Sequence, residues 1–228
     1  MTSHFNFGEI SPEGWPVLAA AGIVTILLAF IALPLGGFAL GLMLWLRHIM
    51  RIPVRHLPVD RDVVVAPADG VVTSIERQQQ TEDRHMQDGL PPMARITIRT
   101  RLTDAQLQRA PVTGRVRDNF LIPGLFLSAA DEMTARRDNE RREITLETDA
   151  GEAVMMVQIG TRTARQLICS HGPGRALAAG ASLGMARMGG LTDLFVPADA
   201  ELTVAEGQSV LAGETVLARL AGQQNGDS

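Results

Sequence analysis

Two groups of side chains in this sequence could do chemistry. Arg109 and Arg141 carry guanidinium groups, whose planar sets of N–H donors match the oxygens of a phosphate. Cys169, Ser170 and His171 follow one another, so Cys169 and His171 would share one face of a strand. No activating partner for the thiol is evident, and we interpret Cys169 as an ordinary buried thiol. The two Arg are therefore candidates for phosphate binding, and no cysteine nucleophile is predicted.

The composition excludes several classes of function. All 21 positively charged residues are Arg, and the sequence contains no Lys. Chemistry that depends on a lysine amine, such as a pyridoxal Schiff base, biotin or lipoyl attachment, or a P-loop, is therefore excluded. A net charge of -4 argues against a nucleic-acid partner. The five His and the single Cys show no metal-ligand spacing, so no metal site is predicted.

An uncharged stretch near the N-terminus predicts attachment to a membrane. Residues 14–46 include no charged side chain. Residues 16–33 would form a helix of about 27 Å, close to the thickness of the bilayer core. The Pro-Leu-Gly-Gly segment at 34–37 would break or kink it, and residues 35–46 are too short to cross alone. Two arrangements remain open: a single kinked span, or a helical hairpin that dips into one leaflet.

The flanks of this stretch predict its orientation. Positive or titratable residues follow it directly: Arg47, His48, Arg51, Arg55 and His56. Positive charge beside a span marks the cytoplasmic side and attracts anionic headgroups. Trp15 and Trp45 bracket the apolar stretch, as expected of interfacial indoles. We therefore expect the rest of the chain to face the cytoplasm.

Beyond the basic segment, the chain is predicted to form one strand-rich domain. We expect five parts: a tail (1–13), the membrane segment (14–46), a basic linker (47–57), the domain (58–222) and a second tail (223–228). β-branched or alternating segments predict strands at 63–65, 70–75, 95–101, 144–146 and 154–159. The polar residues 77–93 are expected to form a loop, and 126–142 is the best helix candidate. Residues 193–220 predict three strands separated by turns.

A weak internal repeat suggests a sandwich of two related halves. The segment Val-Ala-Pro-Ala-Asp at 65–69 is echoed by Phe-Val-Pro-Ala-Asp at 195–199. Residues 204–218 are also typical of lipoyl-type sandwich domains, although the carrier function of such domains requires a lysine. The fold class expected is mainly β (α+β), with lipoyl-like halves behind one or two N-terminal helices.

Several short motifs together resemble the phosphatidylserine decarboxylase family, in its short bacterial form. The motifs, in order along the chain, are Pro67-Ala68-Asp69-Gly70, Arg109-Ala110-Pro111-Val112, Pro123-Gly124-Leu125-Phe126-Leu127, Asp138-Asn139-Glu140-Arg141 and Val157-Gln158-Ile159. Each motif is weak alone, but their order and spacing hold from about residue 15 to residue 220. The resemblance implies a bacterial inner-membrane protein whose substrate is a membrane phospholipid. Arg109 and Arg141 then become candidates for binding the headgroup phosphate.

The resemblance also implies a chemistry for which one residue is missing. In this family the Ser of a Gly-Ser pair attacks the preceding carbonyl and becomes a pyruvoyl group, the electron sink for decarboxylation. The matching pair here is Gly189-Gly190, and glycine has no hydroxyl. We therefore expect no pyruvoyl group and no other cofactor. Neither Ser182 nor Thr192 follows a glycine in the required place.

Two further family positions differ. The family's His is replaced by Gln106, which cannot exchange a proton near neutral pH, and its Lys is replaced by Leu125. Asp69 matches the family's processing Asp, but we favour a structural role in which it bonds the backbone of its own turn. The set Asp69, Gln106, Gly189 and Gly190 is thus expected to lack an intact catalytic site.

Three functions compete on these grounds. The first is a membrane-anchored, non-enzymatic relative that binds phospholipid or acts as an accessory or scaffold subunit of a membrane complex. In this role it would associate with another membrane protein or with further copies. The second is an active decarboxylase that makes phosphatidylethanolamine. The third is an adaptor built on a lipoyl-like sandwich, which predicts no phospholipid binding. From the sequence alone we expect the first.

Overall fold

The computed structural model describes residues 15–49, 55–58, 60, 62–79 and 92–221. Both terminal tails, residues 50–54 of the basic linker and most of the loop predicted at 77–93 lie outside these residues. Two helices come first, α1 (Trp15–Ile31) and α2 (Leu33–Ile49), and a short α3 (Glu132–Asp138) lies within the domain. All other regular elements are strands.

The two N-terminal helices form a hairpin with a single residue, Ala32, between them. A Cβ built on Gly36 would lie 2.7 Å from the Cα of Ala29, which requires the chain to fold back on itself. The break comes before the Pro-Leu-Gly-Gly segment because Pro34 lies in the first turn of α2, where a missing N–H is tolerated. The hairpin alternative is therefore the one that the structure adopts.

No helix within these described ranges combines the length and the apolarity needed to cross a membrane. The membrane attachment of residues 14–46 stays a prediction.

The strands of the described part divide into three antiparallel sheets. They are β1 (Val63–Val65), β2 (Gly70–Gln79), β3 (Met93–Thr100), β4 (Leu107–Arg109), β5 (Gly114–Ile122), β6 (Arg141–Glu147), β7 (Ala153–Ile159), β8 (Gln166–Cys169), β9 (Ala176–Leu177), β10 (Ser182–Arg187), β11 (Gly190–Pro197), β12 (Glu201–Leu202), β13 (Ser209–Val210) and β14 (Val216–Arg219). The large sheet has the order β13-β2-β3-β11-β7-β6-β5-β9, and the small sheets are β1-β14-β12 and β4-β10-β8.

The large sheet is buried on both faces. On one face Ile96, Met156 and Leu194 belong to the main core, which also includes side chains from both small sheets. On the other face Val157 and Phe195 form a second cluster with Ala135 of α3. The period-2 alternation therefore predicts the strands correctly. Alternation also suggests that one face of the strand is exposed, and this is wrong for β3, which is buried along most of its length. The lipoyl-like halves are not evident: the repeats at 65–69 and 195–199 begin in different sheets.

The helix predicted over 126–142 is much shorter in the structure. α3 begins after Asp131, whose side chain accepts a hydrogen bond from Thr134 N, and it ends before Asn139. Arg141 and Arg142 already belong to β6. Residues 123–130 form an irregular segment, in which Gly124 lies directly against the backbone of Asn139.

Asn139 fixes this segment to the sheet. Its side chain is 1% exposed, accepts a hydrogen bond from Leu127 N at 2.8 Å and donates to Gly160 O at 2.8 Å. We predict that Asn139→Ala lowers the free energy of unfolding by about 2–4 kcal/mol, since two buried backbone groups lose their partner. Urea unfolding followed by circular dichroism measures it. Ser128→Ala, an exposed change in the same segment, is the control, and an equal effect of both variants would contradict the prediction.

Candidate functional site

The Gly-Gly pair lies at a sharp corner of the chain. β10, in a small sheet, ends at Arg187, and β11, in the centre of the large sheet, begins at Gly190. The backbone φ angles of the corner are positive: 71° at Met188, 86° at Gly189 and 128° at Gly190. A positive φ at a non-glycine residue costs about 1–2 kcal/mol. The corner is thus strained at Met188 and relies on glycine at the next two positions.

Gln106 lies against this corner. Its Oε1 accepts a hydrogen bond from Gly189 N at 2.5 Å, and its Nε2 donates to Asp104 O at 2.7 Å and to Arg101 O at 3.1 Å. The side chain is 2% exposed. The structure therefore places the residue that occupies the family's His position in direct contact with the predicted processing position. The Gln106 amide thus links the corner to the backbone of Arg101 and Asp104, just before β4.

Asp69 lies close to the same corner. Thr100 is paired with Gly190 across the sheet and donates to Asp69 O at 2.7 Å. The carboxylate of Asp69 accepts one hydrogen bond from Ala212 N at 2.7 Å and another from Arg55 Nη2 at 2.5 Å. The prediction that this carboxylate bonds its own turn is wrong, because it reaches to the C-terminal part of the domain and to the linker.

The residues at this corner do not fit a pyruvoyl group at position 190. Gly190 has no hydroxyl from which such a group could form. Nearby, the hydroxyl of Thr100 donates to Asp69 O, and that of Thr192 accepts from Gln108 Nε2 at 2.9 Å. Thr192 lies within β11, paired with neighbours on both sides. We therefore derive no reaction step through a pyruvoyl group in this chain.

Arg109 lies beside Asp69. Its Nη1 donates to Gly180 O at 2.7 Å. Burial lowers the pKa of Arg109, the charge of Arg55 lowers it further, and the carboxylates of Asp69 and Glu214 act in the opposite direction. Arg55 and Arg109 thus share this place with two carboxylates, and Arg55 pairs with both of them, at 2.5 Å to Asp69 and 3.8 Å to Glu214.

Arg141 is separated from Arg109 by the large sheet. Its Nε donates to Glu143 at 2.9 Å, and with Arg136, Asp193 and Phe195 it lines a small open recess beside α3. Ile159, which is paired with Leu191 of β11, also lines this recess. The two candidates for binding the headgroup phosphate therefore lie at different places around the corner.

The basic run at 136–142 is not the solvated helix face that its composition suggests. Arg136 is directed inward: its Nε donates to Asp193 at 2.7 Å, and the two side chains are 10% and 3% exposed. Burial works to lower the pKa of Arg136, but hydrogen bonds from Arg136 to Asp193 and the charge of Asp193 raise it overall. The next residue, Arg137, pairs with Asp138, and its side chain is 74% exposed. Asp193 entered the sequence analysis only as the first residue of the strand-rich segment 193–220, and nothing in the sequence indicated its partner.

Acid is predicted to weaken the attachment of α3. Burial alone would raise the pKa of Glu132, but hydrogen bonds from Arg99 and the charge of Arg136 hold it below the ordinary value of 4.5. The unfolded chain therefore takes up this proton first as pH falls, so the stabilisation is present above about pH 4.5 and is lost below it. Urea midpoints measured from pH 7 to pH 3 should fall, and fall less in Glu132→Gln. Identical curves for the two proteins would contradict this.

Comparison with known proteins places this site in context. The family model for phosphatidylserine decarboxylase matches residues 43–218. The phosphatidylserine decarboxylase proenzyme of Beijerinckia indica subsp. indica is 36% identical over 209 residues, which cover 92% of this chain and 88% of that protein. The proenzyme of the same name from Geotalea uraniireducens is also 36% identical, over 91% of this chain and 95% of that protein.

These names overturn one expectation from the sequence. We expected a protein that is not an enzyme, because the pair at 189–190 has no hydroxyl. Relatives that match over about nine tenths of both chains are named as enzymes, and the expectation is wrong on that ground. The absence of a hydroxyl at position 190 remains a fact of the sequence.

Proposed function

The chain belongs to the phosphatidylserine decarboxylase family, and from this premise we propose that it functions in the conversion of phosphatidylserine to phosphatidylethanolamine. The observation that carries the proposal is the similarity to decarboxylase proenzymes over 92% of the chain. In the reaction the bond between the serine Cα and its carboxylate breaks, carbon dioxide leaves, and Cα takes a proton. The electron pair left on Cα requires an electron sink.

We further propose that position 190 carries no pyruvoyl group. A pyruvoyl group supplies the electron sink where it is present, but Gly190 has no oxygen from which to form one. The sink must then come from another residue of this chain or from a partner chain. The part that this chain's own residues can play at the corner is to bind and orient the headgroup.

Arg109 is our candidate for that binding. It is half-buried beside Arg55, Asp69 and Glu214, and its motif matches the Arg-Ala-Pro-Val segment of the family. A guanidinium group can bind two oxygens of a phosphate at once. Arg141 is the second candidate, through the recess that reaches the residues next to the corner. Because the sheet separates them, we propose that each contacts a different part of the lipid.

The proposed location is the bacterial inner membrane, with the β-domain in the cytoplasm. This is supported by the basic residues Arg47 and His48 in the last turn of α2. The proposed partners are membrane phospholipid and a membrane protein or further copies of this chain.

The experiment uses the full chain with phosphatidylserine labelled at its carboxyl carbon, in mixed micelles. Release of labelled carbon dioxide and formation of phosphatidylethanolamine are measured by scintillation counting and mass spectrometry. Heat-denatured protein is the blank, and Arg109→Met is expected to raise KM more than it lowers kcat. Protein from a host without a decarboxylase is compared with protein from a host that has one, and the second preparation counts as active only above a mock purification from the same host. A sink supplied by a partner would give activity only in the second preparation.

Two outcomes decide the proposals separately. No labelled carbon dioxide above the blank in either preparation contradicts the decarboxylase function. A chain that has split between residues 189 and 190, instead of a single species at 24.5 kDa, contradicts the absence of a pyruvoyl group. Intact mass determination after mild hydroxylamine treatment reports the second point, because a pyruvoyl ketone would be converted to an oxime of defined added mass at the N-terminus of the fragment that begins at residue 190.

A further inference from the structure

The outer surface of the N-terminal hairpin is apolar to an unusual degree. Large apolar side chains that are more than half exposed include Ile23, Leu27, Phe30, Ile31, Leu33 and Phe38. Near the turn the exposure is greatest, at 87% for Phe30 and 82% for Leu33. Proteins surrounded by water rarely expose a continuous apolar surface of this kind.

The fold-back gives the hairpin two different ends. Trp15 begins α1 and Trp45 lies in the last turns of α2, so both indoles are at the end away from the turn. Arg47 and His48 are at this same end. In a single span the two Trp would mark two opposite interfaces, but in a hairpin they mark one. The turn end carries only apolar side chains, of which Phe30 and Leu33 are the most exposed.

The turn itself is compatible with hydrocarbon. Ala32 N donates to Leu28 O at 3.0 Å, and Gly36 N donates to Ala32 O at 3.1 Å, so Ala32 both ends α1 and begins α2. Pro34 has no N–H to satisfy. Unpaired backbone groups cost several kcal/mol each within a bilayer, and this turn keeps their number small. A longer polar loop would not be tolerated there.

We propose that this hairpin enters a phospholipid bilayer from one side, turn first, with Trp15, Trp45 and Arg47 at the interface of entry. The segment before α1 and the β-domain then lie on the same side of the membrane. Each helix of 17 residues is about 26 Å long, so the turn would come to lie deep in a hydrocarbon core of about 30 Å. The occupant of the apolar surface is lipid, because indoles and Arg at one end match an interface and nothing polar lies at the other.

This placement would keep the candidate headgroup site near the lipid surface. Ile49 ends α2 and Arg55 already contacts Asp69, so the five residues between them, six steps from Cα to Cα, span at most about 21 Å. Leu57 also lies against Gly180, next to Arg109. The linker therefore holds the Asp69–Arg109 region within reach of the interface at which the hairpin enters.

The hairpin geometry is tested in lipid by distance measurement. Spin labels are attached at Ala20→Cys and Leu44→Cys in a Cys169→Ala background, with vesicles of phosphatidylethanolamine and phosphatidylglycerol. A hairpin brings these positions within about 20 Å, whereas a continuous helix would hold them about 36 Å apart. A label at Leu33→Cys should be shielded from a water-soluble nickel complex. A long distance, or a turn that is open to nickel, overturns the proposal.

The sidedness is tested separately in sealed vesicles. Ser3→Cys and Ser228→Cys should react with a membrane-impermeant maleimide from the same side, and reaction from opposite sides overturns the proposal. If Cys169→Ala does not fold, protease protection of tags at the two termini of the wild-type chain answers the same question. None of these readouts depends on decarboxylation, so a failure here is distinct from a failure of the proposed function.

Discussion

Replacing Gly190 by Ser together with Gln106 by His is expected to produce a chain that cleaves itself between residues 189 and 190. Fragments 1–189 and 190–228 would then appear on a denaturing gel in place of a single species. The first substitution supplies the missing hydroxyl, next to the Gly189 carbonyl. The second places a titratable group where Gln106 Oε1 now lies 2.5 Å from Gly189 N. Intact mass spectrometry identifies the exact bond.

Matched control variants separate the effect of the added hydroxyl from the effect of backbone strain at position 190. A Cβ at position 190 would lie 3.3 Å from both Ala164 Cβ and Ile159 O, so a small side chain fits with a slight shift, but the φ of 128° disfavours it. Gly190→Ala introduces the same strain without an oxygen and should stay intact, as should Gln106→His alone. Cleavage of the Ala variant, or an intact and folded double variant, would show that the hydroxyl is not what the site lacks.

Arg136→Ala is expected to lower the free energy of unfolding by about 3–5 kcal/mol, because it leaves the carboxylate of Asp193 buried without its partner. Asp193 is 3% exposed in its side chain and also accepts a hydrogen bond from Thr97 at 2.8 Å. The same guanidinium donates to Thr97 and to Glu132, so three polar groups lose a donor at once. Urea unfolding followed by circular dichroism at neutral pH measures the change.

The next residue along α3 provides the control. Arg137 is 74% exposed and pairs with Asp138 at the surface, so Arg137→Ala should leave the urea midpoint unchanged. Replacing both members of the buried pair, as Arg136→Met with Asp193→Leu, should recover much of the loss, since no charge is then left unpaired. Similar midpoints for the Arg136 and Arg137 single variants would contradict the assignment of a buried ion pair.

The strands were more predictable than the helix because their signal is local. Alternating or β-branched residues predict 95–101 and 154–159 almost to the residue, as β3 and β7 show. The helix at 126–142 was overestimated because its end depends on a contact far away in sequence. Asn139 bonds to Gly160 O, and this ends α3 although the charged residues beyond it would suit a helix.

For the candidate site, the residues were predictable but their contacts were not. The motif order identified Asp69, Gln106 and the Gly-Gly pair, and the structure brings all of them to one corner. Arg55 was read only as a charge beside the membrane, yet it forms an ion pair with Asp69 in which both side chains are about one tenth exposed. Such a pair joins residues whose sequence neighbourhoods carry no common pattern, so only the folded chain reveals it.

The corner between β10 and β11 has a mechanical consequence. The portion from Gly190 onward pairs with the remainder in two sheets: β11 lies between β3 and β7, β13 pairs with β2, and β14 pairs with β1. Severing the backbone at this point would thus remove a connection without releasing either piece. The two polypeptides would elute as one particle from a size-exclusion column and would separate only in denaturant. Native chromatography alone therefore cannot detect whether the chain is cut at this corner.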